Sequence, residues 1–230
     1  MQEQSIPKGG LMSLKVYLAR HGASINYDAL ENDEDVDVCR QSLLTPLGPK
    51  GIAQAEKLGL QVARLKPDVM LVSPYRRAKE TGEKAAEIYP LFPNPVDDLG
   101  EIRRIVDGHN IYSDTNLKYK KWRGEAIRTG DLKGRFHASD ESFGEFFQRT
   151  IRFKKWLPLE LDNQSILVIG HSQFFAMLLT SIIHGDNPHP SSLFGCFNHH
   201  FMDHCGITTV EWHPRKGWKI IDFNNTSHLK

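Results

Sequence analysis

Three short apolar runs, each ended by a polar break, stand out in the hydrophobic pattern of the chain. The first covers Val16–Ala19, the second Val69–Val72 and the third Ile166–Ile169. Continuous apolar runs of this length are typical of strands that are buried on both faces of a sheet. The pattern therefore predicts three buried strands.

Apolar residues at helical spacing follow these strands. A helix is predicted to start at Thr45-Pro46 and to continue to Leu65, with Ile52 and Leu60 in its apolar stripe. Further helices are predicted over residues 75–90, 141–157 and 174–185. Aromatic residues of the middle one are predicted to face the core: Phe143, Phe146, Phe147 and Phe153. Strands that alternate with helices favour an α/β fold with a mainly parallel sheet.

The remaining segments carry turn residues or β-rich stretches. Residues 26–42 are acidic and irregular and predict a mobile loop, and the proline-rich residues 91–102 are predicted to be mostly loop. The β-rich stretches 206–214 and 217–225 are joined by a Pro/Gly turn, which predicts a terminal hairpin.

The length of 230 residues suits one domain, or one domain with an insertion. Residues 1–13 are expected to form a disordered leader. The rest, 14–230, is predicted to be a single domain with an insertion or cap near 102–140.

Composition and charge limit the partners of this domain. The formal net charge is +1, so no overall field attracts nucleic acid or an anionic membrane. The apolar runs are too short to span a bilayer, and the N-terminus lacks the apolar core of a signal peptide. The odd count of cysteines (Cys39, Cys196 and Cys205) is typical of reduced thiols. We therefore expect a cytoplasmic protein without nucleic-acid or membrane partners. Its oligomeric state, monomer or dimer, stays open at this point.

Polar residues directly follow each of the three predicted strands. The first run is followed by Arg20-His21-Gly22, the second by Ser73 and the third, after one glycine, by His171. Ligands of α/β sheets bind outside the carboxyl ends of the strands. We therefore expect these three strand exits to converge on one pocket.

The residue types at these exits favour phosphoryl chemistry. A neutral imidazole such as that of His21 can carry a transferred group covalently. The transition state of phosphoryl transfer spreads charge over three oxygens, which arginine guanidinium groups match. Arg20 is adjacent, and Arg76 and Arg77 open the helix after the second strand, where the N-terminal amides also favour an anion. The leaving oxygen needs a proton, and three carboxylates are candidates for its donor: Asp97, Asp98 and Glu101.

The motifs around these residues resemble those of the histidine phosphatase superfamily, the phosphoglycerate mutase-like proteins. The stretch LARHGAS resembles the family's Arg-His-Gly signature, LTPLGPKGIAQAEKLG its L-T-x-x-G-x-x-Q-A helix, and SPYRRAKETGE its S-P-x-x-R-A-x-x-T element. LGEI resembles the segment with the acid, and LVIGHSQF the segment with the second histidine. The motifs follow the family's order over nearly the whole chain. The resemblance implies a three-layer α/β/α sandwich with a mainly parallel central sheet.

The resemblance also implies a role for each residue. His21 attacks phosphorus and becomes a phosphohistidine, while Arg20, Arg77 and His171 hold the phosphoryl oxygens. Glu101 protonates the leaving oxygen and then activates water. No metal or cofactor is implied, and the substrate is a small-molecule phosphate ester.

The implied activity is that of a metal-independent, histidine acid phosphatase-type phosphomonoesterase. The resemblance selects Arg77 over Arg76 as the phosphate ligand. Further residues are predicted to bind substrate: Gly22, Ser24, Asn26, Ser172 and Gln173. The chain departs from the family at Tyr27, where an asparagine is common, and at Ser172, where a glycine is usual. The run after Glu101 also differs, so the substrate-facing side is not the common one.

Alternatives remain at the sequence level. GHSQF is close to the nucleophile elbow of α/β-hydrolases, with Ser172 as nucleophile, but Phe174 replaces the final glycine. Phosphoglycerate mutase and a non-catalytic phospho-ligand-binding relative share the same site. The cluster of His199, His200, His204 and Cys205 fits no standard zinc spacing and is interpreted as polar loop residues near a pocket rim. The basic run Lys118–Arg135 favours either a multiply anionic substrate or a solvated helical face.

Overall fold

The computed structural model of the protein describes residues 12–25, 43–103, 115–199 and 202–230. Within these residues one sheet contains β1 (Leu14–Arg20), β2 (Val69–Val72), β3 (Pro93–Pro95), β4 (Ser165–Gly170), β5 (Ile207–His213) and β6 (Gly217–Asn225). The helices are α1 (Pro49–Leu65), α2 (Arg76–Ile88), α3 (Thr115–Thr129), α4 (Phe143–Glu160), α5 (Ser172–His184) and α6 (Pro190–His199). Two short 3-10 turns cover Asp97–Leu99 and Ser227–Leu229.

The sheet has the strand order β3-β2-β4-β1-β5-β6. The first four strands in this order run parallel, β5 is antiparallel to β1, and β6 is antiparallel to β5. The predicted mainly parallel sheet and terminal hairpin are therefore confirmed. Because β4 lies between β2 and β1, the carboxyl ends of these three strands lie side by side.

Helices cover both faces of the sheet, as the continuous apolar runs predict. Along β1, Leu14, Val16 and Leu18 belong to the core that α4 and α5 cover, whereas Tyr17 and Ala19 belong to the core that α1 and α2 cover. The alternation arises because successive side chains of a strand point to opposite faces. The predicted three-layer α/β/α sandwich is confirmed, and so is the burial of the four predicted phenylalanines of α4.

Several boundaries differ from the prediction. The helix α1 begins at Pro49, not at Thr45-Pro46, because Leu47 pairs in an isolated antiparallel bridge with Ser24, so the chain before Pro49 is extended. Ile52 and Leu60, both predicted to lie in the apolar stripe of α1, are 38% and 57% exposed.

An edge strand and a short α-helix were not predicted from the sequence. Proline-rich residues 93–95 pair with β2 as the edge strand β3, a position that tolerates proline because one side of the strand needs no ladder hydrogen bond. The helix α6 has an apolar stripe too short to be recognised by its periodicity. Its buried residues Leu193 and Phe194 nevertheless join the core.

Some predictions fall outside the described residues. They are most of the leader, the acidic segment 26–42 with Asn26 and Cys39, and residues 104–114 of the predicted cap. In the described part of that cap, α3 places Trp122 against the core residue Phe143, with nearly parallel rings 5.9 Å apart. A capping role for 102–140 stays a prediction. Among the described residues, no helix is both long and apolar enough to cross a membrane.

Two glycines bring the backbone of α1 into close contact with the exit of β1. A Cβ atom added to Gly51 would lie 1.9 Å from the Ala23 carbonyl oxygen, and one added to Gly22 would lie 2.5 Å from the Gly51 carbonyl oxygen. We expect Gly51→Ala to lower the free energy of unfolding by about 1–3 kcal/mol, because a backbone neighbour cannot rotate away. Urea unfolding measures this change. Gly124→Ala in α3 is the matched control, since nothing lies within 4 Å of the added Cβ, and an equal loss there would contradict the packing argument.

Candidate active site

His21 lies directly after β1, and its backbone N–H donates to the Gly170 carbonyl oxygen at the end of β4, at 3.0 Å. Its Nδ1 is 2.7 Å from the Gly22 carbonyl oxygen. A carbonyl oxygen can only accept, so Nδ1 carries the proton and Nε2 carries the lone pair. The Nε of Arg77 donates to this Nε2 at 3.1 Å. The unprotonated nitrogen of His21 is thus held at a cationic group.

Arg77 links His21 to the second histidine. It lies in the first turn of α2 and is 5% exposed. One terminal nitrogen of its guanidinium is 3.2 Å from His171 Nδ1, which must accept because arginine has only donors. His171 Nε2 then donates to Ser73 Oγ at 2.8 Å. Three strand exits therefore meet at one point, with the two imidazole rings 5.0 Å apart.

The neighbouring arginine has a different environment. Arg76 has a half-exposed side chain and pairs with Glu80 one turn further along α2. A surface pair of this kind contributes little to stability and does not reach the histidines. The structure thus places Arg77, and not Arg76, at the predicted site.

Arg20 lies at the side of this pocket. The guanidinium is half-buried and donates to the Met202 carbonyl oxygen at 2.7 Å. Its own carbonyl oxygen accepts from the Cys205 N–H at 2.9 Å. These bonds fasten the segment before β5 to the end of β1, and they place a second cation close to His21.

Burial and positive charge keep both histidines neutral. Burial, and after it the Arg77 charge, holds the pKa of His21 well below its usual range, and His171 and Arg20 lower it further. The pKa of His171 is lowered in the same way, by burial and then by Arg77. A neutral imidazole is the nucleophilic form. The pocket therefore combines an unprotonated Nε2, hydrogen-bonded to Arg77, with a positive potential.

A third histidine in this pocket lies outside the predicted site. His204 is 7% exposed, and its ring centroid is 5.6 Å from that of His21. The sequence places it among polar loop residues near a pocket rim, but the structure buries it in the pocket wall. Burial lowers its pKa to about 3, with smaller contributions from Arg20 and Lys50. No motif marks this residue, because only the packing of the 202–206 segment against β1 brings it near His21.

Glu101 is anchored to the helix that begins beside His171. Its Oε2 accepts from the Gln173 N–H at 3.2 Å, in the first turn of α5, and its Oε1 accepts from the Ile102 N–H at 3.1 Å. Tyr75 connects the two residues, since its ring is 4.8 Å from that of His171 and its hydroxyl is 3.5 Å from the Glu101 carbonyl oxygen. Glu101 is 9% exposed, and its carboxylate lies at the start of the helix that follows His171.

The other two candidate acids lie apart from the histidines. Asp97 is exposed, and the Asp98 carboxylate is 3.6 Å from the Arg152 guanidinium on the surface of α4. Both residues belong to the 3-10 turn Asp97–Leu99, and their side chains are at least partly exposed to solvent. The structure therefore brings only Glu101 of the three predicted carboxylates to the helix that follows His171.

The predicted substrate-binding residues have mixed environments. Gly22 is predicted to let the backbone approach a ligand, but the structure shows that its missing side chain makes room for Gly51, while its N–H donates to Thr81 Oγ1 at 3.0 Å. Ser24 is half-buried in the bridge to Leu47. Gln173 contributes its N–H to Glu101. Asn26 lies outside the described residues.

His171 is not placed to act as a general base for Ser172. Its Oγ accepts from the Met202 N–H at 3.3 Å. The two ring nitrogens of His171 already contact Arg77 and Ser73. This arrangement argues against the hydrolase elbow, in which a histidine must take the proton of the nucleophilic serine.

The buried histidines predict an acid-sensitive fold. Unfolded histidine titrates near pH 6.5, whereas the pKa of folded His204 is about 3. Between these pH values the unfolded state binds more protons than the folded state. The free energy of unfolding is therefore highest above about pH 6.5 and falls as the pH is lowered. We expect His204 to contribute a loss of about 1.4 kcal/mol per pH unit in this range. Urea unfolding at a series of pH values should show a shallower slope for His204→Asn, and an unchanged slope would contradict the prediction.

Comparisons with known proteins agree with this geometry. The family model described as histidine phosphatase superfamily (branch 1) matches residues 16–226. The chain is 26% identical over 215 residues to "Uncharacterized phosphatase PhoE" of Bacillus subtilis (strain 168), covering 93% of this chain and 96% of that protein. It is 25% identical over 178 residues to "Adenosylcobalamin/alpha-ribazole phosphatase" of Escherichia coli (strain K12), covering 74% of this chain and 79% of that protein.

A solved structure shows the same fold. The phosphoserine phosphatase of Entamoeba histolytica in complex with 3-phosphoglyceric acid superposes with a TM-score of 0.70 at 19% identity, covering 94% of this chain and 100% of that one. The match of the family model to nearly the whole chain is the decisive finding, and its named relatives are phosphatases. The chain belongs to the histidine phosphatase superfamily, branch 1.

Proposed function

We propose that this protein is a metal-independent phosphomonoesterase of the histidine acid phosphatase type, which works through a phosphohistidine on His21. One observation carries the proposal: the buried guanidinium of Arg77 contacts Nε2 of His21 and Nδ1 of His171 together. Arg20 and Arg77 both lower the pKa of each imidazole, so the potential at the nucleophile is positive. A phosphate ester dianion complements such a pocket, whereas a neutral ester gains little there.

The first step forms the phosphoenzyme. Nε2 of His21 attacks phosphorus, the N–P bond forms, and the ester P–O bond breaks as the leaving oxygen takes a proton from Glu101. Positive charge develops on the His21 ring, and the Nδ1–H bond to the Gly22 carbonyl oxygen stabilises it. Arg20, Arg77 and His171 hold the phosphoryl oxygens, where the charge is spread in the transition state.

The second step releases phosphate. The Glu101 carboxylate takes a proton from water, whose oxygen attacks phosphorus while the N–P bond breaks. The lone pair returns to Nε2, and Glu101 is again protonated for the next cycle. The same carboxyl group thus acts first as acid and then as base, as microscopic reversibility requires for two related steps.

The substrate class is a small-molecule phosphate monoester. Two similar proteins are an alpha-ribazole phosphatase and a phosphoserine phosphatase, whose substrates contain quite different alcohols. These relatives support phosphate monoesters as the substrate class. Which alcohol the substrate contains is expected to depend on the substrate-facing loops. A screen of sugar, nucleoside and amino-acid phosphates is the way to identify it.

The experiment that tests the proposal is trapping of the intermediate. The enzyme is to be incubated with p-nitrophenyl phosphate in EDTA and quenched in alkali, where phosphohistidine survives, and its peptides are then sequenced by mass spectrometry. We expect phosphate on His21. Phosphate on Ser172, or transfer to phosphoglycerate that outpaces hydrolysis, would overturn the assignment in favour of a hydrolase elbow or a mutase.

A further inference from the structure

A buried arginine of α4 holds the main chain that leads into Glu101. Arg149 has a side chain that is 3% exposed. One terminal nitrogen donates to the Asp98 and Gly100 carbonyl oxygens at 2.6 and 2.7 Å, and the other lies 3.3 Å from the Glu101 carbonyl oxygen. All three acceptors lie within residues 98–101, which end at the acid itself, so a single guanidinium fixes the path of this turn.

Glu141 completes the arrangement on the other side of the acid. Its carboxylate accepts from Nε and a terminal nitrogen of Arg149 at 2.9 and 2.8 Å, a bidentate pair in which the Glu141 side chain is only 10% exposed. The same carboxylate accepts from the Arg103 N–H at 3.0 Å, and the Glu141 N–H donates to the Arg103 carbonyl oxygen at 2.9 Å. Arg149 and Glu141 together therefore hold the backbone on both sides of Glu101 through hydrogen bonds.

Aromatic rings fix the plane of this guanidinium. The Arg149 guanidinium carbon lies 4.8 Å from the ring centroid of Phe146 in α4 and 5.8 Å from that of Phe174 in α5. The helix α5 also supplies the Gln173 N–H that binds the Glu101 carboxylate. Arg149 thus sets the position of the acid's main chain relative to the helix that holds the acid's side chain.

We propose that Arg149, with Glu141 as its partner, is the positioning residue for the proton donor of this enzyme. The inference rests on the proposed role of Glu101. Arg149 acts through the turn and does not reach the substrate. Displacement of a catalytic group by about 1 Å can cost about 10²-fold in rate, so a loosened turn is sufficient to impair proton transfer.

The test uses the dependence of the rate on the leaving group. An alkyl phosphate such as glycerol phosphate needs a proton on its leaving oxygen, whereas dinitrophenyl phosphate expels a stable anion and hardly needs one. Arg149→Lys keeps the charge but loses the bidentate geometry. We expect it to lower kcat/KM for glycerol phosphate, which reports formation of the phosphohistidine, by about 10²-fold, with a much smaller loss of kcat/KM for dinitrophenyl phosphate. Hydrolysis of the phosphohistidine needs Glu101 as base with either substrate, so kcat does not separate the two.

Controls separate this role from a general structural one. Arg152→Gln, in the same helix, removes an arginine whose side chain is 63% exposed, and it should leave both rates at the wild-type value. Equal losses on the two substrates for Arg149→Lys, or no loss on either, would overturn the inference. If Arg149→Lys does not fold, Glu141→Gln serves instead, because it removes one charge of the pair and keeps its shape. It should show the same selective loss.

Glu101→Gln, measured in parallel, distinguishes the inference from the proposed function. If Glu101→Gln shows the leaving-group selectivity and the Arg149 variant does not, only the positioning role fails. If Glu101→Gln shows no selectivity, the assignment of the proton donor fails and the positioning role with it. In the double variant, Arg149→Lys should add little to the loss that Glu101→Gln already causes on glycerol phosphate, because both changes disable one function.

Discussion

We expect His21→Ala to abolish hydrolysis of p-nitrophenyl phosphate in EDTA. The substitution removes Nε2, the atom that forms the bond to phosphorus, and the proposed mechanism has no second nucleophile to replace it. Loss of a covalent nucleophile lowers kcat by on the order of 10⁶-fold in other hydrolases. Steady-state kinetics at saturating substrate, with the fold verified by thermal unfolding, measure the effect.

A matched control tests whether replacing a histidine elsewhere in the protein also lowers the rate. His189 is exposed just before α6 and lies outside the pocket, so His189→Ala should keep the wild-type rate. Turnover that survives the loss of His21 would refute a mechanism centred on this residue. A variant that binds phosphate but does not hydrolyse the ester would agree with it, since Arg20, Arg77 and His171 remain in place.

The second large effect is expected for Glu101→Gln. The amide keeps the size of the side chain and one acceptor oxygen for the N–H groups of Ile102 and Gln173, but it cannot give a proton to the leaving oxygen. A positioned acid–base group contributes about 10²–10⁴-fold. We therefore expect kcat/KM for glycerol phosphate, which reports formation of the phosphohistidine, to fall by a factor in this range, with a much smaller fall of kcat/KM for dinitrophenyl phosphate.

Asp97→Asn is the control for this substitution. It removes a carboxylate from the same turn, and its side chain is exposed. Its rates should equal those of the wild type on both substrates. A large loss for Asp97→Asn together with a small one for Glu101→Gln would move the proton donor to the aspartate. If Glu101→Gln lowers kcat/KM equally for the two substrates, the substitution has disturbed the pocket as a whole and has not simply removed the proton donor.

The sequence by itself determined the main elements and the edge of the sheet where chemistry is concentrated. The apolar runs before Arg20, Ser73 and His171 predict strands correctly because a strand buried on both faces must be apolar at every position. The rule that parallel strands end at one edge then placed these residues together. The predicted start of α1 was wrong, because Leu47 takes part in a long-range bridge that local periodicity does not reveal.

Only the tertiary structure decided which side chains complete the pocket. The insertion of β4 between β1 and β2 sets His171 beside Arg77, and the bonds from Arg20 to the 202–206 segment bring His204 to His21. In the sequence, Arg149 is only one residue of an amphipathic helix, yet it reaches back to the turn before Glu101. Periodicity specifies which face of an element is buried. It does not specify strand order or the contacts of long side chains, which follow from packing between residues far apart in the chain.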